Sequence, residues 1–202
     1  MNESMQLSKS DRIGMVMSIV IVAFGAGITV LAAVRRLLEV GDGRDVPVTV
    51  PLAGESASLP LGPDGAGVTA TVEMATVTVP DPAPATAFAL YAEPVWMAVI
   101  TLLGIGVAAL FFLRLARGHA FTAGSSRLAY MAAGIVAVGW LGSSILTNMT
   151  TNGALSAISD YTYEAVTFEV SLAPALVVLV VAAVGAALQI GERLQRETEG
   201  LV

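Results

Sequence analysis

Residues 13–34 read IGMVMSIVIVAFGAGITVLAAV, an unbroken run without a charged side chain. Such a run, at ~1.5 Å of rise per residue, makes a helix of about 30 Å, the hydrocarbon thickness of a bilayer. A secretory signal has a shorter apolar region of about 7–15 residues, and Arg35-Arg36 follows this one at once. The segment therefore reads as an uncleaved anchor, although Lys9 and Arg12 precede it and Leu31-Ala32-Ala33 offers small residues. Three further uncharged runs follow at 94–113, 128–149 and 171–191. The fold class predicted from them is a mostly α membrane protein with four transmembrane helices.

Composition agrees with the pattern. Hydrophobic residues make up 55% of the 202 and charged ones only 13%, about half the charge of an ordinary soluble domain. The mean hydropathy is +0.78. An ordinary cytosolic enzyme is excluded on this count. The net charge of −6, with no Lys/Arg cluster, argues against direct nucleic-acid binding. Cysteine is absent, which removes disulfides, thiol nucleophiles and Cys-based zinc sites.

The remaining charge orients the chain, because short loops rich in Lys and Arg stay cytoplasmic. With residues 1–12 inside, the inner segments 1–12, 114–127 and 192–202 hold Lys9, Arg12, Arg114, Arg117, Arg127, Arg193 and Arg196. The outer segments, 35–93 and 150–170, hold Arg35, Arg36 and Arg44. Seven against three predicts both termini in the cytoplasm. Eleven of the sixteen acidic residues fall outside, which makes that face negative. Glu39 lies within helical pairing distance of Arg35 and Arg36, so a solvated extension of the first helix accounts for those two.

The outer segments change period. Val46, Val48, Val50 and Leu52 alternate with Pro47, Thr49 and Pro51, the pattern of an edge strand. A second strand-like piece covers 56–61, and Gly62-Pro63-Asp64-Gly65 marks a turn. Residues 68–79 are rich in Val and Thr. There Val68, Ala70, Val72 and Met74 share one parity while Val77 and Val79 have the other, so the face switches near 73–76 through a bulge or a tight turn. Residues 161–171, with Tyr161, Tyr163, Val166, Phe168 and Val170, read as another strand. A lone hairpin is marginal in water, so a small extracytoplasmic antiparallel sheet is expected. Pro80, Pro82 and Pro84 read as an extended linker.

Candidate chemistry is sparse. His119 is the single imidazole and reads as structural or solvated, since no second His or Cys could complete a metal site. Gly104-Ile105-Gly106 starts a glycine motif inside a span with no strand before it, and is discarded. Glu73, Asp81, Asp160, Glu164 and Glu169 could hold a cation or form an acid/base pair, but their spacing is that of a solvated acidic surface. Ser143, Ser144, Thr147 and Asn148 form a candidate polar pocket near the outer end of the third span; helix packing is the plainer use of such residues. The spans themselves hold no Asp, Glu, Lys, Arg or His and no internal proline apart from Pro174 near the start of the fourth. That argues against ion-coupled transport and broken-helix sites. Small residues four apart (Ala23/Gly27, Gly104/Ala108, Gly139/Ser143, Ala182/Ala186) suit helix packing within one chain, with a homo-oligomer interface as the alternative. Phe88, Tyr91 and Trp96, and at the other end Phe111, Phe112 and Tyr130, sit where interfacial anchors belong.

Two inner segments carry a resemblance. Gly118-His119-Ala120-Phe121-Thr122, followed by Arg127-Leu128, and the C-terminal GERLQRETEGLV at 191–202 resemble a bacterial membrane-protein family, domain of unknown function 2975. In that family a Gly-x-x-Phe-Thr loop leads into the third helix and a Gly-x-x-Leu acidic tail follows the fourth. Ser125 and Ser126 stand where the family usually offers Asn. The resemblance implies residence in the bacterial cytoplasmic membrane and, as partner, a small cytoplasmic helix-turn-helix regulator. The residues supply a matching docking surface, Arg114, Arg117, Phe121, Arg127 and Leu194, though positive-inside residues with a solvated tail would look the same. The expectation is a non-enzymatic protein without cofactor, sensing or regulatory, with a small transporter or an immunity protein against a membrane-active peptide as the alternative.

Overall fold

A computed structural model of the chain describes residues 9–116, 123–163 and 170–199. Over these the protein is mostly helical, with helices α1 (Lys9–Val40), α2 (Pro84–Ala116), α3 (Ala123–Ile158) and α4 (Ala173–Glu199) and strands β1 (Val46–Leu59) and β2 (Val68–Val79). Each helix contains a stretch long and apolar enough to cross a membrane: Met17–Val40, Pro84–Leu115, Gly124–Ile158 and Ala173–Leu194. The chain divides into two compact units, one formed by residues 1–33, 96–142 and 171–202, the other by 34–95 and 143–170.

In the second unit a valine core is built on the hairpin. Val46, Val48 and Val50, alternate residues of β1, are at most 2% exposed, and Val79 of β2 is fully buried. Val40, Leu90, Ala154 and Leu155 complete this core from α1, α2 and α3. Arg36 reaches across to donate to the Pro47 carbonyl at 3.0 Å. Glu39 pairs with both Arg35 (3.7 Å) and Arg36 (3.3 Å), so the helical extension beyond residue 34 is present. Gly41 at φ 54° ends α1 in the left-handed conformation that costs glycine least, and Tyr91 donates to its carbonyl at 3.1 Å.

The two strands pair antiparallel, from Val46↔Val79 to Leu59↔Val68. The face switch in β2 is observed, since Ala75, Val77 and Val79 on one parity give way to Ala70 and Val72 on the other as the partly buried residues. A bulge effects it. Between the pairs Pro51↔Met74 and Glu55↔Val72, β1 holds three residues and β2 one, with Gly54 at φ 77°. Residues 56–59 are thus a continuation of β1 and not a separate strand. The expected turn is a short 3-10 segment, Pro63–Gly65, in which the Gly62 amide donates to the Ala66 carbonyl at 2.9 Å.

Helix ends depart most from expectation. The helix α2 begins at Pro84, not at 94, because proline suits the first helical turn, where its missing N–H has no partner anyway. Only 80–83 remain as linker. Glu93 and Pro94 consequently lie inside α2, within a stretch that can span, and not at its edge. The helix α3 continues through Ile158 instead of stopping at 149. Thr150 and Thr151 donate to the Leu146 and Thr147 carbonyls at 3.0 and 2.9 Å, which satisfies their hydroxyls within the helix. Asp160 and Tyr161, both at positive φ, end the run. Residues 161–163 are turn and coil, so the strand expected over 161–171 does not begin there; 164–169 lie outside the described residues.

The first unit is helix on helix. Gly139 and Gly142 of α3 leave the space that Ile100 and Trp96 of α2 occupy, and the Trp96 indole N–H donates to the Gly139 carbonyl at 3.3 Å. Gly185 of α4 lies against the Tyr130 ring. A Cβ on Gly27 or Gly104 would instead meet nothing within 4 Å. Of the glycines in the expected small-residue pairs, Gly139 therefore packs within the chain while Gly27 and Gly104 face open space.

Candidate functional site

The first unit contains an open groove of about 510 Å³ lined by the start of α3 and the end of α4. The repeat of an α-helix places Gln189, Glu192 and Arg196 of α4 on one face, and Ser126, Arg127, Tyr130 and Met131 of α3 form the opposite wall. A second groove, about 740 Å³, is lined by Ala186, Ile190, Arg193 and Glu197 and shares Gln189 and Arg196 with the first.

Glu192 is the most constrained group in this region, only 7% exposed. A buried carboxylate costs several kcal/mol unless paired and hydrogen-bonded. Both of its oxygens are engaged: Oε1 accepts from Arg196 at 2.9 Å and Oε2 from the Ser126 hydroxyl at 3.4 Å. Arg193 pairs with Glu197 at 2.9 Å. The Tyr130 hydroxyl donates to Gln189 Oε1 at 3.2 Å, which leaves the Gln189 amide N–H groups available. Arg127 is exposed and, among the described residues, makes no ion pair. The groove is therefore rich in donors, with its carboxylates already satisfied.

Of the expected docking residues, Arg127 lines this groove and Leu194 is exposed on α4. Arg114 is exposed, and its guanidinium fills the space beside Gly124 where a Cβ would stand. Arg117 and Phe121, like His119, lie outside the described residues. Sequence reasoning placed Glu192 only in a mixed-charge helix end and Ser126 only against the family's usual Asn, without joining them, and it passed over Gln189. The one available signal was the pairing of Glu192 with Arg196 four residues on.

The second unit holds the candidate polar residues. Asn148 is buried and donates to the Ser144 carbonyl at 2.7 Å, within its own helix. Ser143 and Ser144 are half-buried. Thr147 donates to Glu93 Oε1 at 2.7 Å, and the Thr150 hydroxyl stands 3.3 Å from Oε2, a second acceptor for the one proton it otherwise gives to the Leu146 carbonyl. Glu93 is thus the group around which this region is organised, and it was missed because the helix was expected to start after it. Glu73, Asp81 and Asp160 are exposed, while Glu164 and Glu169 lie outside the described residues. Among the described residues, no group of three or more His, Cys, Asp or Glu is placed to hold a metal ion.

No family model matches the chain, and neither the curated proteins nor the solved structures include a match to it.

Proposed function

We propose that the chain is a non-enzymatic, multi-pass protein of the bacterial cytoplasmic membrane, with both termini cytoplasmic, the hairpin extracytoplasmic and a sensing or regulatory role. The observation that supports it best is α1. None of its apolar stretch Met17–Val40 is counted as buried apart from the final turn, and Ile21, Phe24 and Leu31 are each about two-thirds exposed. A helix apolar all round and unburied by its own chain needs an apolar solvent. The regulatory part rests on the resemblance to domain of unknown function 2975 and on the exposed Arg114, Arg127 and Leu194, which suit a cytoplasmic partner such as a small helix-turn-helix regulator.

Alkaline carbonate extraction of cell membranes tests insertion, and the chain should stay in the pellet. A pull-down from detergent-solubilised membranes tests the partner: a cytoplasmic protein should be recovered with the full chain and lost with Phe121→Ala. Recovery of no such protein would count against the regulatory role. A second reading, a small transporter or an immunity protein, is favoured by one observation. Glu93 lies inside a helix able to span, where ionisable groups are costly and usually functional.

A further inference from the structure

We infer that the groove between the start of α3 and the end of α4 binds an anionic phospholipid, its phosphate at Arg127, Gln189 and Arg196 and an acyl chain along Tyr130 and Met131, toward Ile190 of the adjoining groove. The inference rests on the membrane reading above.

Charge complementarity selects the headgroup. Arg127, Arg193 and Arg196 stand against Glu192 and Glu197 in the two grooves, which leaves one positive charge. That charge is Arg127, because Arg193 and Arg196 are each paired. The Glu192 charge is offset by Arg196, whose guanidinium lies 2.9 Å from Oε1. Arg196 uses one terminal nitrogen for Glu192, and its 71% exposed side chain keeps further N–H donors for a phosphate.

The apolar wall selects a lipid over a free anion. Arg127 and Arg196 flank the polar ends of the uncharged runs 128–149 and 171–191. Met131 lies one turn beyond Arg127, and Ile190, which lines the adjoining groove on α4, lies more than one and a half turns before Arg196; Met131 and Ile190 are 49% and 62% exposed. A polar end followed by exposed apolar side chains matches the order of headgroup and acyl chain in a leaflet. Gly185 keeps this wall in shape, since a Cβ there would press on the Tyr130 ring at 3.2 Å. Inorganic phosphate would use the donors and leave the wall bare.

The test uses the full chain in detergent, titrated with phosphatidylglycerol or phosphatidylcholine, with bound lipid counted by native mass spectrometry. Phosphatidylglycerol should be retained preferentially. Arg127→Ala should weaken it about fivefold and Arg127→Glu roughly twentyfold, with phosphatidylcholine unchanged. Gln189→Leu supplies a second variant that should also weaken phosphatidylglycerol. Equal retention of the two lipids, or variants that bind phosphatidylglycerol as the parent does, would overturn the inference while the membrane reading stood. Full displacement of phosphatidylglycerol by inorganic phosphate would assign the site to a free anion and overturn it too. Release of the chain by alkaline carbonate would remove the membrane reading itself, a separately recognisable failure.

Discussion

Gly142→Ala and Gly104→Ala are the same chemical change in two helices of one unit, and they should have opposite effects. At Gly142 a Cβ would overlap the indole of Trp96, a flat rigid ring that cannot yield as a flexible chain end does. Relieving the overlap moves the ring and strains the Trp96 N–H bond to the Gly139 carbonyl, 3.3 Å in length. Overpacking of a well-packed site costs about 1–3 kcal/mol, and a weakened hydrogen bond adds about 0.5–1 kcal/mol. Against this stands the better helix propensity of alanine, about 1 kcal/mol. The net is a loss of about 0.5–3 kcal/mol, a fall in Tm of roughly 1–12 °C for a chain of this size. At Gly104 nothing lies within 4 Å of the added methyl, so only the propensity gain of up to about 1 kcal/mol remains. Thermal unfolding of the two variants in one detergent, followed by tryptophan fluorescence, measures the difference. Equal Tm values, or a Gly142→Ala protein as stable as the parent, would refute the close approach of α2 and α3 at Trp96.

Other consequences concern single side chains. Val50→Ala, at a fully buried position of β1, should cost about 2 kcal/mol and show as faster hydrogen exchange in the hairpin; unchanged exchange would mean that the valine face is not the core. Trp140→Phe removes a buried indole N–H that has no hydrogen-bond partner, a gain of about 1–3 kcal/mol that offsets the packing lost with the smaller ring, so Tm should stay within a few degrees of the parent; a fall of more than about 10 °C would contradict this balance. Glu93→Ala takes the acceptor from Thr147, while Thr150 keeps the Leu146 carbonyl, and should lower stability by about 1 kcal/mol in a thermal melt, whereas Glu93→Gln, which keeps an acceptor, should lower it less.

The helices were legible because a span must exclude charge, and that leaves a mark on composition without any tertiary knowledge. Their ends were not. Proline at 84 looks like a linker whether it precedes a helix or opens one, and the polar Thr150-Thr151 falls outside an apolar run although its hydroxyls find carbonyls within the helix. The face switch of β2 showed in the parity of Ala70 and Val72 against Val77 and Val79, but the extra residues that cause it sit on β1, where no single-strand pattern displays them. The site was legible in part: Arg127 came from its loop, and Thr147 from its polar neighbours. Glu93 with Thr147 and Ser126 with Glu192 join residues 54 and 66 positions apart, and such pairs exist only once the helices have packed.

The central claim is a chain that crosses a membrane with its hairpin outside and its α4 end inside. Because the sequence has no cysteine, single cysteines report position cleanly. Thr69→Cys on β2 and Glu197→Cys on α4, both at exposed positions, should be treated with a membrane-impermeant maleimide in intact cells whose outer barrier has been opened. The account predicts labelling of Thr69→Cys at once and of Glu197→Cys only after the cytoplasmic membrane is permeabilised. Labelling of Glu197→Cys before Thr69→Cys, or of both together, would contradict it.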